Sequence, residues 1–312
     1  MEDHERTENA NRPEPELLYH YTTQEGMLGI INEQELWATD VRFLNDDREF
    51  QDGLRVAIEM TTQCSLNAGE DGLCTAQYLE EVLNSEFSKR PVYSVSFAGP
   101  LKDAEELFSS IDDPGDRLNM WRGYSERGIA YSIGLPRAGW TTDIEGLDFQ
   151  ECSYLRETKE TYLTEILNRF VDLRNECIGN RLGSVSDGVP LEQAMDKMRE
   201  EFNEGLDGIL PDLKAQIAAC KHESFWEERE WRLTVAPPSD HPKVFHASGR
   251  FGLTPRVRVA LRGPDGLLPM KRIVIGPCPH MADAIESLKG LLIRKGYRHI
   301  EISPSQIPYR NW

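Results

Sequence analysis

Hydrophobic positions alternate in some stretches of the chain and recur every three to four residues in others, and the two patterns interleave irregularly. Leu17-Leu18-Tyr19-His20-Tyr21 reads as a short opening strand. Thr22, three residues before Glu25, has capping-box spacing, and Met27, Leu28, Ile30 and Ile31 follow on one helical face. Leu36-Trp37-Ala38 is a short extended piece. Asn45-Asp46-Asp47 is an N-cap cluster, continued by Phe50, Leu54, Ala57 and Ile58 as an amphipathic helix, and residues 74–88 repeat the helical pattern. Residues 91–98 alternate as a strand, with Val92, Ser94 and Ser96 on one face and Tyr93, Val95 and Phe97 on the other. After an acidic stretch reaching Asp112-Asp113-Pro114-Gly115, residues 118–124 read as one or two helical turns, and 128–135 and 149–155 as strands.

From about 158 to 222 the pattern is helical twice over, with residues 179–190 expected as the joining loop. Strands resume at 231–236, 243–247, 256–261 and 272–275. A helix over 281–294 and a short strand at 300–302 close the pattern. Such a mixture without regular strand–helix alternation predicts an α+β fold. The expected organisation is a disordered lead over residues 1–15, then a single α+β domain over 16–312 with a helical insert at about 158–222.

Composition narrows the function classes. The chain has 312 residues, with 35 Lys and Arg against 53 Asp and Glu, a formal charge of −18. That argues against a broad phosphate-gripping surface, while leaving room for a local basic site. No apolar run approaches the roughly 20 residues of a membrane span, and the polar N-terminus has no secretory pattern, so a cytoplasmic protein without membrane contact is expected. The six cysteines form no C-x-x-C, and Cys278 beside His280 is a poor ligand set, so reduced thiols and no metal are expected. Glycine-rich phosphate loops and a G-x-S-x-G elbow are absent.

Three local features carry possible chemistry: Tyr19-His20-Tyr21-Thr22, Ser94-Val95-Ser96-Phe97, and Trp226-Glu227-Glu228-Arg229-Glu230-Trp231-Arg232. If the last runs into a strand, Trp231, Leu233 and Val235 face the core, and Glu230, Arg232 and Thr234 share the other face, with Glu228 in register. That face fits a solvated strand with ordinary ion pairs as well as a site. The serine pair fits a pocket wall or a tight sheet contact. His20 equally suits a structural role, and Trp121 and Tyr124 suit the core.

In chain order, L-Y-H-Y-T (18–22), L-W-A-T (36–39), N-D-D-R-E-F (45–50), S-V-S-F (94–97), M-W-x-x-Y (120–124) and K-x-x-x-F-W-x-E-x-E-W-R (221–232) resemble a bacterial family. That family carries only a domain-of-unknown-function label and is associated with abortive-infection phage defence. Its N-D-P-x-E is Asn45-Asp46-Asp47-Arg48-Glu49 here, and its S-F-S is Ser96-Phe97-Ala98. The resemblance runs from residue 17 to about 303.

A more distant resemblance is to ADP-ribosyltransferases, which use a first-strand Arg or His, a Ser-x-Ser or Tyr-bearing strand, and a late Glu, often in E-x-E. His20, Ser94-Val95-Ser96 and Glu228-Arg229-Glu230 stand in that order, although a histidine combined with a serine pair matches no single subclass cleanly.

The resemblance implies a mixed β core like that of ADP-ribosyltransferases, with flanking helices. It implies NAD as substrate, with Glu230 on the ribose hydroxyl and Glu228 orienting or deprotonating the acceptor. His20 and Ser94 or Ser96 would hold NAD, Tyr21 or Trp121 would stack on nicotinamide, and Arg232 or Arg122 would meet the pyrophosphate. Thr22 and Tyr124 belong to the same NAD-binding motifs. The expected protein is a defence toxin that transfers ADP-ribose to a protein or nucleic acid, acting alone or restrained by an antitoxin or other defence-system partner. A non-catalytic sensor or adaptor in phage defence is the alternative. A nuclease ranks lowest, because no convincing acidic metal cluster can be ordered.

Overall fold

A computed structural model describes residues 16–309 except 45–46, 68–71, 101–111, 126–127 and 250–251, and omits the side chains of 47–49 and 72–74 as well. The expected lead over 1–15, the Asn45-Asp46 part of the cap cluster and most of the acidic stretch therefore lie outside the described residues.

The strands are β1 (Leu17–Thr23), β2 (Leu36–Asp40), β3 (Tyr93–Ala98), β4 (Ala130–Pro136), β5 (Asp148–Glu151), β6 (Glu230–Val235), β7 (Val244–Gly249), β8 (Gly252–Val259), β9 (Arg272–Ile275) and β10 (Glu301–Pro304). The helices are α1 (Gln24–Glu33), α2 (Asp47–Asn67), α3 (Gly72–Lys89), α4 (Leu118–Tyr124), α5 (Arg156–Ser186), α6 (Leu191–Asp207), α7 (Leu210–Ala218) and α8 (Met281–Arg294). A 3-10 turn, Glu223–Glu228, leads into β6. The fold is α+β: the sheet runs β10-β9-β4-β1-β3-β2-β8-β7, with β6 paired to β3 and β5 to β6. Strand β10 is parallel to β9 and the other pairs are antiparallel.

The alternation in β3 and β6 places side chains as their periods predict. Tyr93, Val95 and Phe97 join Trp231, Leu233 and Val235 in one core, which α1 and α8 help to cover through Met27, Ile31, Leu288 and Leu292. The opposite face of the sheet is covered near β1 by α4, where Tyr19, Tyr21 and Ala98 pack with Trp121. Helices α2, α3, α5, α6 and α7 bury their own stripes together, around Leu79, Leu83, Leu167, Phe170, Leu213 and Ile217.

Several boundaries shift for physical reasons. Strand β1 continues through Thr22, so the N-cap of α1 is Thr23, whose hydroxyl accepts from the Gly26 amide at 3.2 Å. Residues 179–186 are not loop. Helix α5 carries on to Ser186 through Gly179 and Gly183, where an added Cβ would meet nothing beyond the helix within 4 Å among the described residues. The second helical stretch is in fact two helices, broken at Gly208 and Ile209.

Candidate functional site in a split sheet

The sheet divides at β3. One edge of β3 pairs with β6 over all six residues, from Tyr93↔Val235 to Ala98↔Glu230. Its other edge is shared: β1 pairs only at Tyr19↔Ala98, and β2 only at Thr39↔Ser94 and Asp40↔Tyr93. Between those contacts β1 and β2 part, leaving the backbone of β3 without a neighbouring strand on that side. An unpaired buried carbonyl is costly, and His20 supplies the missing partner. Its Nδ1 lies 2.9 Å from the Ser96 carbonyl.

That carbonyl can only accept, so Nδ1 carries the proton and Nε2 is left as an acceptor. Burial pulls the imidazole below its ordinary value of 6.5 against the opposing effect of the carbonyl, so the neutral ring is favoured. Its ring also packs on Phe97 at 5.6 Å.

The parting opens into a cleft of about 1050 Å³, at the upper end of the range for small-molecule sites. One lip carries His20, Tyr21, Thr22 and Tyr124, and the other carries Trp37, Thr39, Arg42, Thr254 and Arg256. Tyr21 is held rigidly. Its ring meets Trp121 edge-on at 4.8 Å, and its hydroxyl donates to the Pro114 carbonyl at 2.9 Å and accepts from the Arg117 amide at 3.0 Å. On the other lip Arg42 is tied to Asp40 by a two-pronged contact of 3.0 and 2.7 Å.

Tyr124 connects the cleft to the glutamates. Burial first, then the negative charges of Glu230 and Glu228, push its hydroxyl up to about 12, so it remains a proton donor. The glutamates belong to a compact ion cluster. Glu230, only 4% exposed, receives Lys221 Nζ on one oxygen and Arg232 Nε at 2.9 Å on the other. Lys221 also reaches Glu228 at 2.9 Å. Burial raises the Glu230 carboxyl, but Arg232 and Lys221 together outweigh it and bring the group down to about 2. Arg229, between the two glutamates, has φ +45°, a left-handed conformation uncommon outside glycine. It ends the 3-10 turn and starts β6.

Of the residues singled out in the sequence, His20, Tyr21, Thr22 and Tyr124 line the cleft together. The remainder do not line it. Glu230 sits in the ion cluster, and the partly exposed Glu228 sits beside it. Arg232, 2% exposed, bonds Glu230 and donates to the Ala218 carbonyl at the end of α7, so it ties β6 to the helices. Trp121 is fully buried and donates to Asp116 at 2.6 Å. Arg122 is exposed and lies over Tyr309. Ser94 is buried, and its hydroxyl has no hydrogen-bond partner among the described residues. Ser96 meets the site through its carbonyl rather than its hydroxyl. The face of β6 carrying Glu230, Arg232 and Thr234 is buried, not solvated: Arg232 on that face bonds the Ala218 carbonyl at the end of α7, while β5 pairs along the edge of β6.

Sequence reasoning missed Lys221, although it heads the K-x-x-x-F-W string. It also missed Arg117, whose guanidinium binds Asp112, the Gly99 carbonyl and the Glu228 carbonyl and so fixes the turn before β6. Nothing in the local pattern marked Arg42 or Arg256.

Among the described residues, no three His, Cys, Asp or Glu side chains come together as a metal site, and no helix is long and apolar enough to cross a membrane. No curated protein and no solved structure matches the chain. Residues 120–233, from within α4 into β6, match the family described as "Protein of unknown function (DUF2971)", so the stretch bearing Tyr124, Lys221, Glu228 and Glu230 carries the pattern of a family whose function is not established.

Proposed function

We propose that the chain binds NAD across the split-sheet cleft, cleaves its nicotinamide–ribose bond and passes ADP-ribose to a macromolecular acceptor. The observation that carries this reading is adjacency. His20, the Ser94-Val95-Ser96 string and Glu230 span roughly 210 residues of chain, yet their strands are direct neighbours in the order β1, β3, β6.

The bond to nicotinamide breaks with its electron pair leaving on the ring nitrogen, and C1′ of the ribose becomes cation-like. The acceptor's nucleophile forms the new bond at C1′ and loses its proton to a base. A fixed negative charge favours that transition state over the ground state. The carboxylate of Glu230 keeps such a charge over the whole neutral range. Glu228, the more open of the two, is suited to take the acceptor's proton. Neutral His20 offers Nε2 to a ribose hydroxyl or to the nicotinamide amide, and Tyr124 offers its hydroxyl beside the carboxylates. In this reading the protein is an intracellular phage-defence toxin, which its family resemblance suggests, and a restraining partner fits that role. A charge of −18 favours a protein acceptor over a nucleic acid gripped along its backbone.

One observation favours the second reading, a binding module without turnover: both Glu230 oxygens are already occupied by buried cations.

Calorimetry with NAD, together with nicotinamide release measured with candidate protein and RNA acceptors, separates the two. For the enzyme, wild-type protein binds and releases nicotinamide, while Glu230→Gln binds but loses on the order of 10²–10³ in rate. Circular dichroism confirms that the variant is folded. Binding without release selects the module, and no heat at millimolar NAD ends both NAD readings.

A further inference from the structure

The two arginines on the far lip of the cleft differ in one respect. Arg42 is neutralised by Asp40. Arg256, on β8, makes no ion pair among the described residues, although Glu25 and Glu35 line the same cleft. Its guanidinium lies over the Trp37 ring at 5.7 Å, and Trp37 is braced edge-on by Phe245 at 5.1 Å. The Arg256 Nε is buried and has no hydrogen-bond partner among the described residues. An orphaned buried donor is destabilising unless something satisfies it. In a protein with 18 excess negative charges, a half-buried arginine that makes no ion pair among the described residues calls for an explanation. Burial also lowers the pKa of this guanidinium, the opposite of what Asp40 does for Arg42.

We propose that Arg256 is the phosphate-binding residue of the cleft, taking the diphosphate of a dinucleotide, and that it sets the requirement for a phosphorylated ligand. The inference rests on the NAD reading for the identity of the dinucleotide, but not for the anion site. Guanidinium geometry matches phosphate oxygens two at a time, and stacking on Trp37 fixes the plane of the fork in advance. This reassigns the role that the sequence suggested for Arg232 or Arg122. The ligand's charged middle is held on the β2–β8 lip, and its reacting ribose lies toward His20 and Tyr124 on the other.

The test is calorimetric titration of inorganic pyrophosphate, ADP-ribose and adenosine into wild-type protein, Arg256→Gln, Arg256→Lys and Arg258→Gln. Arg258 is the control, because it is exposed on the same strand but outside the cleft lining. Wild-type protein should bind pyrophosphate and ADP-ribose. Arg256→Gln should weaken both by roughly 10- to 100-fold, the worth of a charge-assisted hydrogen bond. Arg256→Lys should fall between, and Arg258→Gln should match wild type. Adenosine should bind all four alike.

Wild-type affinity for ADP-ribose in Arg256→Gln overturns the proposal, as does an absence of heat from both phosphate ligands with wild-type protein. An equal loss in Arg258→Gln also overturns it, since that is general charge attraction. The NAD reading fails separately. Arg256-dependent pyrophosphate binding without nicotinamide release keeps this site and removes the enzyme. Release with an unchanged KM in Arg256→Gln does the reverse.

Discussion

At the scale of single residues, the site is built from groups placed against their ordinary preferences and then satisfied. Arg229 is the plainest case. Its left-handed backbone lets the 3-10 turn end and β6 begin within one residue, so that Glu228 and Glu230 both reach Lys221. A left-handed residue with a Cβ costs roughly 1–2 kcal/mol, which glycine avoids. Arg229→Gly forfeits the contact over Trp226 at 5.3 Å, worth about 0.5–1 kcal/mol at a partly open site. Urea denaturation should therefore find Arg229→Gly close to wild type, and Arg229→Val destabilised by about 1–2 kcal/mol, because a β-branched side chain resists this conformation most. Equal losses in both would mean that the Arg229 side chain, not its backbone, is what matters.

At the scale of elements, the α2–α7 contact is a close helix crossing that can be tested with one methyl group. A Cβ on Gly53 would lie 2.6 Å from the Ile217 carbonyl oxygen and 3.0 Å from Cys220 Cβ. Neither neighbour is a free side-chain end, so the helices must move apart. Gly53→Ala should destabilise the protein by about 1–3 kcal/mol, despite alanine's advantage of roughly 1 kcal/mol inside a helix. A Cβ on Gly179, in α5, would meet no neighbour beyond its own helix within 4 Å among the described residues. Gly179→Ala should therefore raise the urea midpoint. Opposite signs from the same substitution would locate the effect in packing rather than propensity.

At the scale of the whole molecule, stability should fall on acidification in two stages. Burial holds the folded His20 pKa below 6.5, so the unfolded chain takes up a proton first, and stability declines as pH falls through and below 6.5. Glu230 has a folded pKa of about 2 against an ordinary 4.5. Its contribution is complete above 4.5 and is lost as pH falls from there toward 2. Denaturation midpoints measured from pH 7 to 3 should follow this descent. Glu230→Gln should be less stable at pH 7 and flatter below 4.5, and His20→Gln flatter just below 6.5. An unchanged slope in either variant would remove that group from the account.

What the sequence determined by itself was local. Period-two alternation separated Trp231, Leu233 and Val235 from Glu230 and Arg232, and helical spacing marked α8, the first part of α5 and the helical character of the stretch that divides into α6 and α7, because both depend only on neighbours along the chain. The motif strings also contained His20, Tyr21, Thr22 and Tyr124, which line the cleft. The tertiary structure alone decided that β1 and β2 part beside β3, since strand partnership is a long-range choice on which local pattern is silent. That parting makes the cleft, gives His20 its carbonyl, and sets Trp37, Arg42 and Arg256 opposite it. Burial was likewise beyond local reading. Whether Glu230 meets solvent, a ligand or Lys221 depended on where α7 and the turn before β6 came to rest, and they closed over it.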